Sequence, residues 1–461
     1  MIRAALIALI VIAAAPLQAE TKVPSSQAEI SLGFAPLVKD AAPAVVNIYA
    51  KIITQERQRT PFSNDPFFDQ FFQGLHKPQL RVQNSLGSGV ILSADGIVVS
   101  NYHVVGMATD IRVVTTDRRE YNAQVVLADQ ASDLAILQLE EAVDLPYLDL
   151  RNSDQVEVGE LALAIGNPFG VGQTVSSGII SGLARTGTAT GEGFGYYLQT
   201  DAAINPGNSG GALIDVNGDL IGINTRILSR SGGSNGIGFA IPANLVREFM
   251  HQAQGGAEEF QRPWAGMSGQ PVDADLAASL GMERPEGMVI SDLHPASSFV
   301  AAGFKVGDVI TSVGDEIVNS PSEMAFRMSI AGMGSKAQVS RVRGTEVEVL
   351  EVMMMMAPNT PPAQPMQLNK TSVLPGLTVA RINPLVIIRL GLPLNAEGVV
   401  ITDPGQYGAR AGLRPGDVLQ TINGNVVVET SDVPDLLTDP GRRLNLDLLR
   451  GGQKLNLRFR L

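Results

Sequence analysis

The sequence predicts a mainly β protein made of several domains. From Ala44 onward, short apolar runs with period-two stretches alternate with Gly, Asn and Asp, as in a β-barrel or sandwich. Helical periodicity stays weak until 243–252. The C-terminal half contains a repeated unit. At roughly 150 residues per domain, the 461 residues suggest three units.

The strand pattern fills residues 20–257, which we predict to be one domain with room for two β-barrels. Its clearest strands are 45–53, 89–92, 111–114, 134–139 and 161–165. An apolar helical face follows, and a Gly-Gly pair ends it; the face consists of Leu245, Val246, Phe249 and Met250.

One stretch, residues 55–84, breaks the alternation and crowds five phenylalanines together. Two readings stay open for this insertion loop. The rings pack locally beneath it, or they form an exposed apolar arm that meets another subunit or a client protein.

The repeat lies in two units that we read as tandem domains rather than a solenoid, which needs three or more repeats. Residues 287–290 and 302–310 are echoed by 398–401 and 411–419. A Pro-rich stretch between the copies predicts an extended linker. The predicted ranges are 258–357 for the first domain, 358–371 for the linker and 372–461 for the second domain.

The N-terminus predicts export. Arg3 precedes an unbroken apolar run from Ala4 to Ala15, and Ala19 suits a cleavage site, so 1–19 is interpreted as a signal peptide. A membrane anchor is the alternative, but this run is shorter than the roughly 20 residues of a spanning helix. We therefore expect no integral membrane segment in the mature chain.

Composition excludes several function classes. The formal net charge is −12 without a long basic block, which argues against nucleic-acid binding. The chain has no cysteine, which removes disulfides, thiol catalysis and thiolate metal sites. No histidine or carboxylate cluster has metal-ligand spacing, so we expect neither a metal nor another cofactor.

The central chemical motif is Asn205–Gly211, with Ser209 between glycines. A serine hydroxyl is a poor nucleophile unless a base takes its proton and donors wait for the oxyanion. The flanking glycines let the backbone turn so that the amides of Gly207 and Ser209 point at one spot, with Asn208 as a further candidate donor. The alternative is an ordinary glycine-rich turn.

Two upstream residues complete a candidate catalytic set. His103 is predicted at the end of an apolar strand, and Asp133 directly precedes another strand. Alone, each is more often structural than catalytic. Together with Ser209 they follow the chain order His, Asp, Ser of chymotrypsin-type serine hydrolases.

A competing reading is the Gly-x-Ser-x-Gly elbow of α/β-hydrolases, which Gly207–Gly211 also fits. That reading requires a helix after the serine and a downstream histidine. Two apolar runs around Asn217-Gly218 follow instead, which predicts a hairpin. The only downstream histidines, His251 and His294, lie in unsuitable places. We therefore reject the elbow.

The sequence resembles the HtrA (Deg) family, whose members are chymotrypsin-like double β-barrel proteases followed by PDZ domains. The resemblance covers nearly the whole mature chain, and the Phe-rich insertion is similar to that of the periplasmic two-PDZ members. The motifs that carry it are 101–104, 132–135, 164–170, 177–181, 200–211 and 236–242.

The resemblance implies roles for further residues. Ile204 and Ile227 should wall a pocket that favours cleavage after small aliphatic residues. Arg185 should lie in a regulatory loop that senses PDZ occupancy. The carboxylate-binding loop of the first PDZ domain should contain Ala265, Gly266 and Met267. In the second domain 375–378 is a weaker match, so peptide binding and a purely structural role stay open.

The implied activity is that of an ATP-independent serine endopeptidase. It would degrade unfolded exported proteins in the periplasm as a homotrimer or a larger assembly of trimers, with PDZ domains capturing client peptides. The alternative is a periplasmic holding chaperone with latent or secondary peptidase activity. A scaffold with a dead protease domain is disfavoured because all three triad residues are present.

Overall fold

Short apolar runs with period-two stretches form most of the strands in the computed structural model, as predicted. It describes residues 33–56, 79–167, 172–186, 196–205, 207–227, 234–439 and 441–460. The predicted signal peptide and most of the Phe-rich insertion lie outside these residues.

The N-terminal domain contains two closed six-stranded antiparallel barrels, which confirms the predicted pair. The first has the strand order β1-β2-β3-β6-β5-β4 and the second β10-β11-β12-β9-β8-β7. A helix α1 (Ala35–Ala41) precedes them, and a one-turn helix α2 (Tyr102–Val105) follows β3. The strands are β1 (Val45–Glu56), β2 (Gln79–Ile91), β3 (Ile97–Ser100), β4 (Asp110–Val114), β5 (Glu120–Asp129), β6 (Leu134–Leu139), β7 (Leu161–Gly166), β8 (Thr174–Thr186), β9 (Tyr196–Thr200), β10 (Ala212–Ile214), β11 (Leu220–Ile227) and β12 (Gly238–Pro242).

Alternating apolar side chains fill both barrels and the space between them. The first barrel buries residues such as Ile48, Val98 and Leu137, and the second buries Leu198 and Leu213. A third, larger cluster takes side chains from both barrels and from the helix that follows them. The groove above this shared core is therefore a fixed junction between two rigid units.

The helix predicted after the barrels is α3 (Ala243–Gln254), capped at Gly255. Leu245, Val246 and Phe249 are buried as expected, while Met250 is only half-buried. The helix packs its apolar face onto both barrels and ends where the linker to the next domain begins.

Two smaller domains of matching construction follow, which confirms the repeat. The first contains β13 (Met267–Pro271), α4 (Ala274–Leu280), β14 (Met288–Leu293), α5 (Ser298–Ala301), β15 (Val309–Val313), β16 (Glu316–Ile317), α6 (Pro321–Ala331), β17 (Lys336–Arg343) and β18 (Glu346–Met353). The second contains β19 (Met366–Gln367), β20 (Thr378–Arg381), α7 (Pro384–Leu390), β21 (Val399–Asp403), α8 (Gly405–Arg410), β22 (Val418–Ile422), β23 (Asn425–Val426), α9 (Asp432–Thr438), β24 (Arg443–Arg450) and β25 (Gln453–Arg460).

Both copies contain the same ion pair, in which the aspartate is buried and the arginine is half-buried. Arg343 Nε lies 2.6 Å from an Asp308 carboxylate oxygen, and Arg450 Nε lies 2.6 Å from Asp417. Each aspartate comes from the Gly-Asp dipeptide that revealed the repeat in the sequence. The shared motif is therefore a structural pair rather than a ligand site.

The first of these domains docks on the protease barrels through aromatic stacks and one arginine. The Phe249 and Phe260 rings stack at 3.8 Å, and Tyr196 and Phe326 stack at 4.1 Å. Arg327 of α6 lies beside the second stack and is only 5% exposed. The interface places α6 against the start of β9.

Candidate active site

His103 and Asp133 form a hydrogen-bonded pair at the junction of the barrels. The His103 Nδ1 atom lies 2.9 Å from both carboxylate oxygens of Asp133. The backbone N–H of His103 donates to the same carboxylate at 3.0 Å. The carboxylate therefore fixes both the ring and the backbone of the histidine.

The backbone around this pair explains its geometry and corrects one expectation. His103 lies in α2 rather than at a strand end, because β3 already ends at Ser100. Asp133 precedes β6 as predicted, with a left-handed φ of 54°. Its carbonyl accepts hydrogen bonds from the Asn101 side chain at 3.0 Å and the Tyr102 amide at 3.2 Å. These bonds hold the two loops together.

Asp133 is buried, with a side chain only 5% exposed, whereas the His103 side chain is 49% exposed. Burial raises the pKa of Asp133, but hydrogen bonds from His103 and Thr225 lower it by a larger amount. The pKa of Asp133 therefore lies below its usual value. The Thr225 hydroxyl donates to Asp133 Oδ2 at 2.6 Å. The group is therefore a stable carboxylate at neutral pH.

Ser209 lies on the second barrel and reaches the pair through Thr225. Its hydroxyl donates to the Thr225 carbonyl at 3.2 Å, while the Thr225 side chain holds Asp133. Among the described residues the hydroxyl makes no direct hydrogen bond to His103. Such bonds are often loose before a substrate binds and tighten in the complex.

The loop before Ser209 presents two amides. Within the described part of the chain, the N–H groups of Gly207 and Ser209 donate to no other group. The Asn208 N–H instead donates to the Asn205 carbonyl at 2.9 Å. The Asn208 proton is therefore used within the loop, and its role as a third oxyanion donor stays a prediction.

Ser88 braces this loop from the first barrel and was missed from the sequence. Its hydroxyl donates to the Gly207 carbonyl at 2.7 Å and accepts the Asn167 N–H at 2.8 Å. Its backbone N–H donates to the Ser209 carbonyl at 2.9 Å. Gly210 has a φ of 83° in the same region, and a Cβ there would collide with the Ser88 carbonyl. The glycine is therefore required by close approach of the barrels.

The loop also buries an amide without a partner. Asn208 is 1% exposed, and neither polar atom of its side chain has a partner among the described residues. The same holds for Asn47 on β1, which pairs with Ser88 in register. Nothing in the sequence distinguishes these asparagines from the many in turns.

The predicted specificity pocket is described in part. Ile204 is 2% exposed, and its Cδ1 lies 2.7 Å from where a Cβ on Gly238 would stand. The absence of a side chain at Gly238 therefore makes room for Ile204, which packs in the core of the second barrel. Ile227 ends β11, and its side chain lies outside the described residues.

Only the two ends of the predicted regulatory loop are described. Arg185 pairs with Tyr197 through its backbone, but its side chain and residues 187–195 lie outside the described part of the chain. The hydroxyl of Tyr196, where the described chain resumes, accepts a hydrogen bond from the Arg327 guanidinium at 2.8 Å. Tyr196 therefore contacts the first PDZ domain.

The carboxylate-binding loop predicted in that domain turns through Gly266, whose φ is 62°. The Ala265 carbonyl accepts the Ser297 hydroxyl at 2.5 Å, and the Gly266 carbonyl accepts the His294 amide at 2.8 Å. Met267 then begins β13, which is the edge strand of its sheet. Two carbonyls of this loop are therefore bonded within the domain, and its binding of a peptide carboxylate stays a prediction.

Arg262, just before this loop, contacts the loop that carries the catalytic carboxylate. Its guanidinium lies 2.5 Å from Asp129 and 2.6 Å from the Ser132 hydroxyl. Asp129 also accepts the Ser132 amide at 2.6 Å. The segment between α3 and β13 therefore holds Ser132, the residue next to Asp133, in place.

The hairpin predicted after Ser209 is confirmed, because β10 and β11 pair antiparallel around Gly218. The hydrolase elbow is thereby excluded. Across the described ranges, no group of three or more His, Asp or Glu could hold a metal ion. Among the same residues, no helix is long and apolar enough to cross a bilayer.

Comparisons with known proteins agree with this architecture. The trypsin-like peptidase domain family matches residues 87–223, and PDZ domain families match 269–354 and 402–450. The chain is 34% identical over 451 residues to the periplasmic pH-dependent serine endoprotease DegQ of Escherichia coli, covering 97% of this chain and 96% of that protein.

Two further relatives extend the likeness. The periplasmic serine endoprotease DegP of Escherichia coli is 36% identical over 405 residues, which are 87% of this chain and 82% of that one. Among solved structures, an HtrA-type protease AlgW with a decapeptide is 36% identical with a TM-score of 0.52, covering 71% of this chain and 99% of that one.

Two closed barrels with a serine, a histidine and an aspartate at their junction, followed by two PDZ domains, define a chymotrypsin-type serine endopeptidase. The named relatives share this activity, which favours the peptidase over the holding chaperone. The chain belongs to the HtrA (Deg) family of serine endoproteases.

Proposed function

We propose that His103, Asp133 and Ser209 form the catalytic triad of an endopeptidase that works through an acyl-enzyme. The observation that carries this proposal is the continuous set of contacts from the imidazole through Asp133 and Thr225 to Ser209. The proposal requires the Ser209 hydroxyl to leave the Thr225 carbonyl and bond to the imidazole when substrate binds.

The mechanism follows from the roles of these atoms. Because Nδ1–H donates to Asp133, the neutral His103 ring keeps an unprotonated Nε2, which takes the Ser209 proton as the oxygen attacks the scissile carbonyl. Asp133 stabilises the imidazolium, which then protonates the leaving amine. Water repeats the attack on the acyl-enzyme and releases the second product.

The oxyanion is received by the amides of Gly207 and Ser209. Their protons are not used elsewhere among the described residues, and Ser88 holds the Gly207 carbonyl away from the site. Preorganised donors of this kind supply a large part of catalysis in acyl transfer. Ile204, with Ile227, restricts the residue before the cleaved bond to small aliphatic side chains.

The substrates in this proposal are unfolded exported proteins. Residues 1–19 direct the chain to the periplasm and are removed. The first PDZ domain binds client peptides along β13, and the protein works as a homotrimer or an assembly of trimers. A single-chain mass by light scattering, with and without an unfolded client, would contradict the assembly.

The test of the triad is cleavage of β-casein by Ser209→Ala. Turnover should fall by about 10⁶, because removing the nucleophile eliminates the acyl-enzyme path. The variant should still bind casein and keep its thermal stability. Ser279→Ala, an exposed serine on α4, is the matched control and should cleave normally. Residual cleavage by purified Ser209→Ala within tenfold of wild type would refute the assignment.

A further inference from the structure

The end of the predicted linker forms a strand on the second PDZ domain. In β19, Met366 pairs with Val379 and Gln367 with Thr378, antiparallel to β20. The pairing extends upstream, because the Arg381 amide donates to the Ala363 carbonyl at 2.7 Å. A peptide ligand of a PDZ domain adds to the sheet in this manner.

The side chains of this segment alternate as those of a bound peptide do. Leu368 is 4% exposed, Gln367 is exposed and Met366 is half-buried. Leu368 belongs to the apolar cluster of the domain, together with residues of α9 and of the loop before β20. These neighbours are Leu374, Leu377, Val433 and Leu437. The groove between β20 and α9 is thereby filled.

The loop before β20 bonds to the backbone of Leu368 as a PDZ domain bonds to the last residue of a peptide ligand. The Gly376 amide donates to the Leu368 carbonyl at 2.9 Å, and the Leu368 amide donates to the Leu377 carbonyl at 2.8 Å. Gly376 lies in the segment that corresponds to the carboxylate-binding loop of the first domain. The Leu368 carbonyl therefore stands in for a terminal carboxylate, and the chain turns away at Asn369.

The first PDZ domain provides the contrast. Its equivalent strand, β13, is the terminal strand of its sheet, and no described segment pairs with its outer edge. In the second domain, β19 occupies that position beside β20. The two copies share a fold but differ in the accessibility of the strand edge.

We propose that Met366–Leu368 is an intramolecular ligand of the second PDZ domain and excludes C-terminal peptides from its groove. Client capture by strand addition then belongs to the first PDZ domain alone. A tethered segment acts at an effective concentration of about 1 mM. With an intrinsic Kd of about 10 µM for the segment itself, the segment weakens the binding of a free peptide roughly 100-fold. This inference does not depend on the peptidase activity.

The test uses the full mature chain and a fluorescent peptide that copies residues 361–368 and ends in a free carboxylate. Leu368→Asp should release the segment, because a carboxylate in the apolar groove is strongly unfavourable. Gln367→Asp makes the same charge change at the exposed neighbouring position and is the matched control. The first PDZ domain is intact in all three proteins, so its binding cancels in the comparison.

We expect Leu368→Asp to bind the peptide at least tenfold more tightly than wild type and Gln367→Asp, with new hydrogen-exchange protection at 377–381. Equal binding by a folded Leu368→Asp protein would overturn the proposal. If this variant does not fold, exchange in the wild type decides. Slow exchange at Leu368 and Gly376 supports the intramolecular ligand, and exchange as fast as in an unstructured linker overturns it.

Discussion

Replacing Arg327 with methionine should loosen the first PDZ domain from the protease barrels. The guanidinium lies 2.5 Å from Asp154 and 2.8 Å from the Tyr196 hydroxyl, both on the protease side. It also lies 2.9 Å from Glu316 of its own domain. Methionine keeps much of the apolar stem but removes every one of these contacts.

The magnitude follows from burial. Breaking a buried ion pair costs about 3–5 kcal/mol. The Asp154 and Glu316 side chains are 17% and 39% exposed, so water partly replaces the lost arginine contacts of both carboxylates. Arg327 Nε also has no partner in the described structure. We therefore take the lower end, about 3 kcal/mol, which increases the undocked population roughly 150-fold at 1.4 kcal/mol per factor of ten.

Undocking can be measured by proteolytic cleavage of the segment between α3 and β13. Glu259 is exposed, but its backbone bridges to Ala128, and we expect undocking to release this bridge. A glutamyl endopeptidase should therefore cut Arg327→Met about 100-fold faster than wild type, both carrying Ser209→Ala to prevent self-cleavage. Arg389→Met, an exposed arginine on α7, is the control. A rate for Arg327→Met within threefold of this control would refute the reasoning.

Two further substitutions test the active-site supports. Ser88→Ala removes the hydroxyl that holds the Gly207 carbonyl, so kcat on a peptide substrate should fall about 10- to 100-fold; an unchanged kcat, or a change in KM alone, would contradict this role. Thr225→Val removes a donor to buried Asp133 and should cost about 1.5–3 kcal/mol of unfolding free energy at pH 7. Because hydrogen bonds depress the pKa of Asp133, its stabilisation is present above its unfolded pKa of about 3.9 and is lost as pH falls through the folded pKa. The difference between wild type and Thr225→Val in urea unfolding should therefore shrink below about pH 4, and a constant difference would exclude an electrostatic origin.

The sequence was most informative where chemistry constrains residue type locally. The motif around Ser209 and the chain order of His103 and Asp133 predicted which side chains to inspect, and the family relationship is confirmed. The hairpin at Gly218 followed from turn chemistry, which depends only on neighbouring residues. These features need no knowledge of distant contacts.

The supporting residues could not be predicted because their partners are distant in sequence. Ser88 bonds to Gly207 across 119 positions, and Thr225 bonds to Asp133 across 92. A serine or threonine in a strand has no signature that reveals such a partner. Only closure of the two barrels brings these hydroxyls to the site.

The Pro-rich segment illustrates a different limit. Its composition predicts an extended linker, and extended backbone is also what strand addition requires. Leu368 looks unremarkable in the sequence, because its burial depends on the register of β19 against β20. Composition therefore described the local conformation but not the surface that receives it.

The hydrogen bonds from Arg262 to Asp129 and Ser132 affect where the protease domain can be cut from the first PDZ domain. A protease fragment that stops at the end of α3 would lack this guanidinium and leave the Asp129 carboxylate without it. Reduced activity in such a fragment would then have two causes. The turn next to Asp133 would be less well ordered, and the first PDZ domain would be missing. A shortened protein that retains the polypeptide through Arg262 separates these two effects.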